Sequence, residues 1–345
     1  MKNFIKYIVI ITILIACLSC DSSSSRINLK NDNWKNYESI RLDKKLLSAK
    51  NTTEIHQAFI KYPQLYQNFY SRMLRAGDMK DVQVEKLSKQ VKEKLDQFKS
   101  DTVINNILKE IQKEFDDFEY YKLEIAKGLS RYETIFNFRY KSQKIGTFFS
   151  LFNADVVEFD SIIWIGLDMY IGPENRITKL IRSESLPQYI KDKMDKKYIV
   201  SDVLFGYLMT HNYQYMGDDL LSKILSYGKI AYLMDLILPD EDPENKFRYN
   251  TNELKWCGQN EKYIWQHIID EELLYEKDLK KINSFFSPGP YTKNFGKDSP
   301  SHIGIWLGYR MIQDYTEKNN LSIKEILLEK NIQKLLSAYE PKKNY

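Results

Sequence analysis

A mostly helical α+β fold with a small central β-sheet is what this sequence predicts, on three observations. Apolar residues recur three and four apart, with charges between them, from about Leu46 to Gly128. Short runs of β-branched and aromatic residues then cluster near 132–170. Helical spacing returns after 200 and holds to the end, with no fixed-period repeat.

The chain opens with a segment that does not belong to the fold. Lys2 and Lys6 form a short positive region, and Tyr7 to Ala16 are apolar. That stretch is far shorter than the roughly 20 residues of a bilayer span. Followed by small residues and a cysteine, it reads as a cleaved export signal over 1–16. Leu14-Ile15-Ala16-Cys17 fits a lipobox, so Cys17 is the expected lipid site; Cys17-Leu18-Ser19-Cys20 makes Cys20 the alternative. Each buried methylene of a lipid contributes about 0.8 kcal/mol, and a cysteine carrying two or three chains suffices for a stable anchor. Residues 17–33 are polar and serine-rich, a lipidated flexible linker. A single domain is expected over 34–345.

Within that domain, Tyr62-Pro63 breaks the first helical stretch. Val84, Leu87, Val91, Leu95 and Phe98 mark one helix face, and Ile104, Ile107, Leu108, Ile111 and Phe115 another. Residues 144–150, 156–159 and 161–167 read as strands. Ser201 is placed to cap a helix over 202–216, and Asp218 to Leu238 reads as the next, ended by Pro239. Asp240 to Asn245 is a turn. Asn250 and Glu253 have capping-box spacing for a helix over 251–267. Ser287-Pro-Gly-Pro290 and Asp298-Ser-Pro300 bound a loop, a helix follows over 303–318, and Ser322-x-x-Glu325 starts the last one.

Composition excludes some functions. The 345 residues carry a formal +4 charge, and Lys2 and Lys6 of the signal account for two of those charges. A near-neutral mature chain gives no reason to expect nucleic acid as a partner. Of three cysteines only Cys257 lies beyond the signal region, so no internal disulfide is expected. Tyrosine, at 25 copies, must often sit with its ring inside and its hydroxyl outside.

No catalytic motif stands out. The four histidines, His56, His211, His267 and His302, form no His-Glu-x-x-His; His211 is followed by Asn212, with Tyr215 where a second ligand would stand. His267 and Glu271 are four apart, a spacing that is commoner on a solvated helix face than at a metal. Nucleophile elbow, Walker loop and dinucleotide fingerprint are missing, so no cofactor, metal or catalytic residue is assigned. Cys257, between Trp256 and Gly258, reads as a buried structural thiol, with a nucleophile as the alternative. Two stretches are candidates for partner or ligand contact. Asp168 follows an apolar strand between Gly166 and Gly172; its carboxylate either caps a turn or lies at a groove. Trp256, Asn260 and Tyr263 share one helical face, and Glu261 and Trp265 another.

These residues carry a resemblance to the gliding-motility lipoprotein GldB family. It runs through Arg41-Leu-Asp-Lys-Lys-Leu46, Tyr62-Pro63, Ile165-Gly-Leu-Asp-Met-Tyr170, Gly228-Lys-Ile-Ala-Tyr232, the helix with Trp256-Cys257, Asn260-Glu261 and Trp265, and Gly304-Ile-Trp-Leu-Gly308. The resemblance implies a non-enzymatic cell-envelope lipoprotein required for gliding. It also implies membrane anchorage through the lipid, in the outer or inner membrane and facing the periplasm, with protein partners in the gliding and type IX secretion apparatus. The family is itself distantly similar to His-Glu-x-x-His zinc metallopeptidases, which implies a degenerate zincin-like architecture with the metal motif lost. On that likeness a lipid-anchored, peptidase-like hydrolase is the first alternative function. A peptide- or glycan-binding module using Trp256 and Tyr263 is the second. The sequence departs from the family at Ser299-Pro-Ser-His302, where Gly-Arg is expected after the proline.

Overall fold

The computed structural model describes residues 27, 29, 32–76, 87–137 and 144–342. The expected signal (1–16), most of the linker (17–33), both candidate lipid sites Cys17 and Cys20, and Val84 lie outside the described residues.

Side-chain caps fix where the first helices begin. Strand β1 (Glu38–Arg41) leads into helices α1 (Leu42–Ser48), α2 (Thr52–Ile60), α3 (Lys89–Ser100), α4 (Thr102–Glu114) and α5 (Glu119–Phe136). Asn51, Ser88 and Asp101 each accept hydrogen bonds from first-turn amides of α2, α3 and α4. Each such cap contributes about 1 kcal/mol. The apolar spacing then decides which face turns inward: α3 buries Val91, Leu95 and Phe98, and α4 buries Ile107, Leu108 and Ile111.

The sheet contains β2 (Lys144–Phe148), β3 (Val156–Phe159) and β4 (Ile162–Gly166), in the order β1-β2-β4-β3. β1, β2 and β4 run parallel, and only the edge strand β3 is antiparallel. β4 is buried at every position, which is why it reads as an unbroken apolar run. Gly146 faces the Trp164 indole, and any Cβ there would overlap the ring. Asp160 and Ser161 join β3 to β4 with φ of 55° and 56°, the primed geometry that suits a two-residue hairpin. The Asp160 carboxylate accepts from Gln64 N at 3.2 Å and Leu65 N at 3.1 Å, capping the turn that Pro63 opens.

Two features of the sheet differ from expectation. Residues 132–136 finish α5 instead of starting the sheet. β1 supplies a strand that the sequence does not announce, because Glu-Ser-Ile-Arg holds one apolar residue and no alternation. Tertiary contacts hold it. Arg41 makes a bidentate pair with Asp43 and donates to Phe115 O at 2.7 Å, while Thr147 of β2 donates to Asp43.

The rest of the chain is helical: α6 (Ile199–Asn212), α7 (Leu220–Ile237), α8 (Thr251–Asp270) and α9 (Ile303–Asn319), with shorter turns between and after them. Both expected capping boxes form, at Asn250/Glu253 and Ser322/Glu325. Ser201 caps nothing. The turn Lys196–Tyr198 runs straight into α6, so Ser201 lies buried inside the helix. A further helical turn, Ile332–Ser337, follows the one that Ser322 begins.

Two hydrophobic cores result, and α7 serves both. Leu220, Leu221, Ile224 and Leu225 pack with α8 and α9, whereas Ile230, Leu233, Met234 and Ile237 pack with the sheet side. An all-round apolar helix is stable only when buried. α7 crosses α9 at Gly228 and Gly308, with backbone against backbone; a Cβ on Gly308 would overlap the Ile224 carbonyl. Next to this crossing, buried Lys229 donates to Leu327 O at 3.0 Å and to Glu329 O, satisfying the end of the helix Ile323–Leu328.

Candidate functional site

The first turns of α6 set Asp202 on the side that faces the sheet edge, and Gly206 one turn later lies against Val156 of β3. Between this helix, the start of β3 and the segments 186–193, 246–249, 286–289 and 301–305 opens a cleft of about 580 Å³. Its walls are mainly apolar, with Phe152, Val156, Phe205, Met209, Phe247 and Phe286 prominent. Size and lining fall in the range of small-ligand sites, which combine an apolar concavity with a few convergent polar groups.

Those polar groups centre on Arg248. Its Nη1 lies 3.3 Å from Asp202 and 3.4 Å from Asp155, its Nη2 donates to Lys193 O at 2.9 Å, and its guanidinium stacks over Tyr198 at 5.3 Å. Tyr170 OH donates to Asp202 Oδ2 at 2.9 Å. Burial pushes the Asp202 carboxyl up to about 6, although Arg248 pulls the other way. His302 is held down to about 4, first by burial and then by Arg248 and Lys193, so it is neutral at physiological pH. Its Nδ1 is 3.0 Å from Ser301 Oγ, and Tyr249 OH donates to Ser301 O at 2.9 Å.

Three residues that line the cleft have left-handed backbones without being glycine: Phe152, Arg248 and His302, at φ 56°, 54° and 56°. Each costs of order 1 kcal/mol or more and persists only where surrounding contacts hold it. For Phe152 the holding group is Asp168. Fully buried, Asp168 accepts from Ser150 N at 2.7 Å, Ser150 Oγ at 2.9 Å and Phe152 N at 2.5 Å. Burial pushes its carboxyl up to about 6 against those hydrogen bonds. Asp168 thus caps a turn, and that turn continues into the cleft wall.

The Arg248 pairing gives a pH prediction. The folded pKa of Asp202 lies above its unfolded value near 3.9. Its contribution is therefore complete below that value and is lost as pH rises through about 6. Arg248 offsets this loss. Arg248→Met is expected to cost about 2 kcal/mol at neutral pH, discounted from a fully buried pair because Arg248 is partly exposed. Below pH 6, where Asp202 is protonated in both proteins, the cost should shrink. Urea melts on either side of that pH check this; an equal cost at both would show that Arg248 acts through packing alone.

The structure places the sequence-selected residues outside the cleft lining, with those of α8 in two groups on the two faces that the spacing predicts. Asp168 lies behind the wall. Trp256, Tyr263 and His267 surround Phe295, with ring centroids 6.2, 5.8 and 5.0 Å away. Asn260 Nδ2 donates to Trp256 O at 2.8 Å within its own helix. Glu261 turns inward to Arg310 and Tyr339, and Trp265 packs edge-on against Tyr339. Cys257 is a buried free thiol. His211 ends α6, its Nε2 2.8 Å from Glu158 on β3, and Tyr215 lies beyond the helix. Among the described residues no three His, Cys, Asp or Glu side chains form a group able to hold a metal. Sequence reading missed Asp155, Asp202 and Arg248, which come from separate segments and make no motif. The one signal near the cleft was the departure from the family pattern at Ser301-His302.

Fold and cleft define a mostly helical α+β protein with a four-stranded mixed sheet, whose antiparallel edge strand borders a ligand-sized cavity. This chain belongs to the GldB family of gliding motility proteins: the family model described as gliding motility protein GldB matches residues 23–341. No curated protein and no solved structure matches it.

Proposed function

We propose that the protein is a lipid-anchored component of the cell envelope, facing the periplasm, that supports gliding by assembling or stabilising the gliding and type IX secretion machinery without catalysing a reaction. The carrying observation is the family match over 23–341, which begins a few residues after a lipobox. Among the described residues no helix is long and apolar enough to cross a membrane, so in this reading the lipid on Cys17 or Cys20 supplies the attachment. A clean deletion with complementation tests it. Colony spreading and release of type IX cargo should both fall and return together. A strain that spreads and secretes normally would remove the proposal.

A second reading, a divergent lipid-anchored hydrolase, is favoured by Ser301 Oγ lying 3.0 Å from a neutral His302 ring in the cleft. A histidine with so low a pKa is a weak base, which makes this the lesser reading. Labelling of Ser301 by an organophosphate, or stoichiometric zinc in purified protein, would raise it above the first.

A further inference from the structure

We propose that the cleft is a binding site for a cationic nitrogen carried on an apolar body, with Asp202 and Asp155 as its acceptors. Lys193 and Lys246 also line the cleft, but each is matched, to Glu253 at 2.7 Å and to Asp235 at 2.6 Å. His302 is neutral. That leaves two carboxylates against one guanidinium, a net charge of −1 at the cleft floor. Arg248 spans both at 3.3 and 3.4 Å, longer than the roughly 2.7–2.9 Å of a tight charge-assisted bond.

Asp202 is the sharper observation. Its side chain is only 9% exposed, and its Oδ2 takes both Tyr170 OH and the Arg248 contact. Its Oδ1 accepts no hydrogen bond from the described residues, and it is not among their sealed, unsatisfied polar atoms. Asp202 is one of the residues that line the cleft, so an unbonded oxygen on it is available to a guest there. A ligand N–H carrying positive charge would make a charge-assisted hydrogen bond to that oxygen, roughly twice as strong as a neutral one. Asp155, about half exposed, stands across Arg248; its Oδ1 accepts from Val156 N at 2.9 Å and its Oδ2 faces Arg248, and each oxygen keeps a second lone pair for the same guest. A carboxylate ligand would instead bring a third negative charge to a single arginine. The apolar walls supply the rest of the binding energy and exclude ligands that are polar throughout.

Titration calorimetry on the purified mature chain, near neutral pH, tests this with two pairs of probes. Phenylbutylamine is compared with phenylbutanol, and acetyl-Phe-Lys-Phe-amide with the same peptide carrying norleucine for lysine. At least one cationic probe is expected to bind about tenfold tighter than its uncharged partner, or about 1.4 kcal/mol. Asp155→Asn, at a half-exposed position, should cut that preference to about threefold or less without lowering the melting temperature. Asp202→Asn should do the same and gives a second route if either variant folds poorly. Preference for the amine alone assigns a small-molecule guest, and preference for the lysine peptide alone assigns a partner polypeptide. Equal affinity within each pair, tighter binding of phenylbutyrate, or no binding of any probe at millimolar concentration would overturn the proposal.

Discussion

Gly308→Ala is expected to destabilise the protein by about 3 kcal/mol, and Gly308→Val to prevent folding. In an exposed helix interior, glycine to alanine gains about 1 kcal/mol from propensity. At Gly308 the sign reverses because the new Cβ would sit in the Ile224 carbonyl and against Gly228. Those obstacles are backbone, so no rotamer change relieves them; α7 and α9 would have to move apart and open the core that they share. Gly258 provides the control. It lies exposed in α8 with nothing near its Cβ position, so Gly258→Ala should stabilise by about 1 kcal/mol. Chemical denaturation of the two alanine variants measures both signs. A neutral Gly308→Ala would mean that the crossing is looser than described.

Arg310→Met is the other large effect, at about 3–5 kcal/mol. Arg310 is 7% exposed and holds two carboxylates that are themselves buried: Glu261 at 3.3 Å and Asp314 at 3.2 Å. Tyr339 OH donates to Glu261 at 3.2 Å, and Glu340 N to Asp314 at 3.2 Å, so the C-terminal segment hangs on the same group. Methionine fills the volume but strands both charges. Adding Glu261→Gln should recover part of the loss, since a neutral amide remains a partner for Tyr339. Lys318→Met, at an exposed pair with Glu340, should cost under about 1 kcal/mol and sets the scale. Urea midpoints of these variants decide the matter. A small Arg310→Met effect would mean that the carboxylates find water or other donors.

These residues also show what was legible in the sequence. Capping boxes, apolar helical spacing and β-branched runs are local, and the capping-box helices and the strands β2, β3 and β4 formed where expected. β1 was not legible because its strand character comes from pairing with β2 and from the Arg41–Asp43 clamp. Glu261 was picked out as a possible contact because it stands beside aromatic residues, but its partner Arg310 lies 49 positions away. The cleft was beyond reach for the same reason: Asp155, Asp202, Arg248 and His302 meet only after β3, α6 and two loops are packed. Asp168 lay between the two cases. Its position after a strand suggested a turn cap, but not that the turn would hold Phe152 left-handed in a cleft wall.

The sharing of α7 has a consequence for how the molecule comes apart. Neither core can melt alone without stripping one side of a helix that is buried on both, so partial opening exposes apolar surface of α7 that belongs to the other half. The two halves are therefore expected to unfold as one cooperative unit, a single transition in chemical denaturation. In the proposed setting, where the N-terminal end is fixed to a membrane, such a molecule is expected to unfold as a whole instead of shedding its C-terminal half.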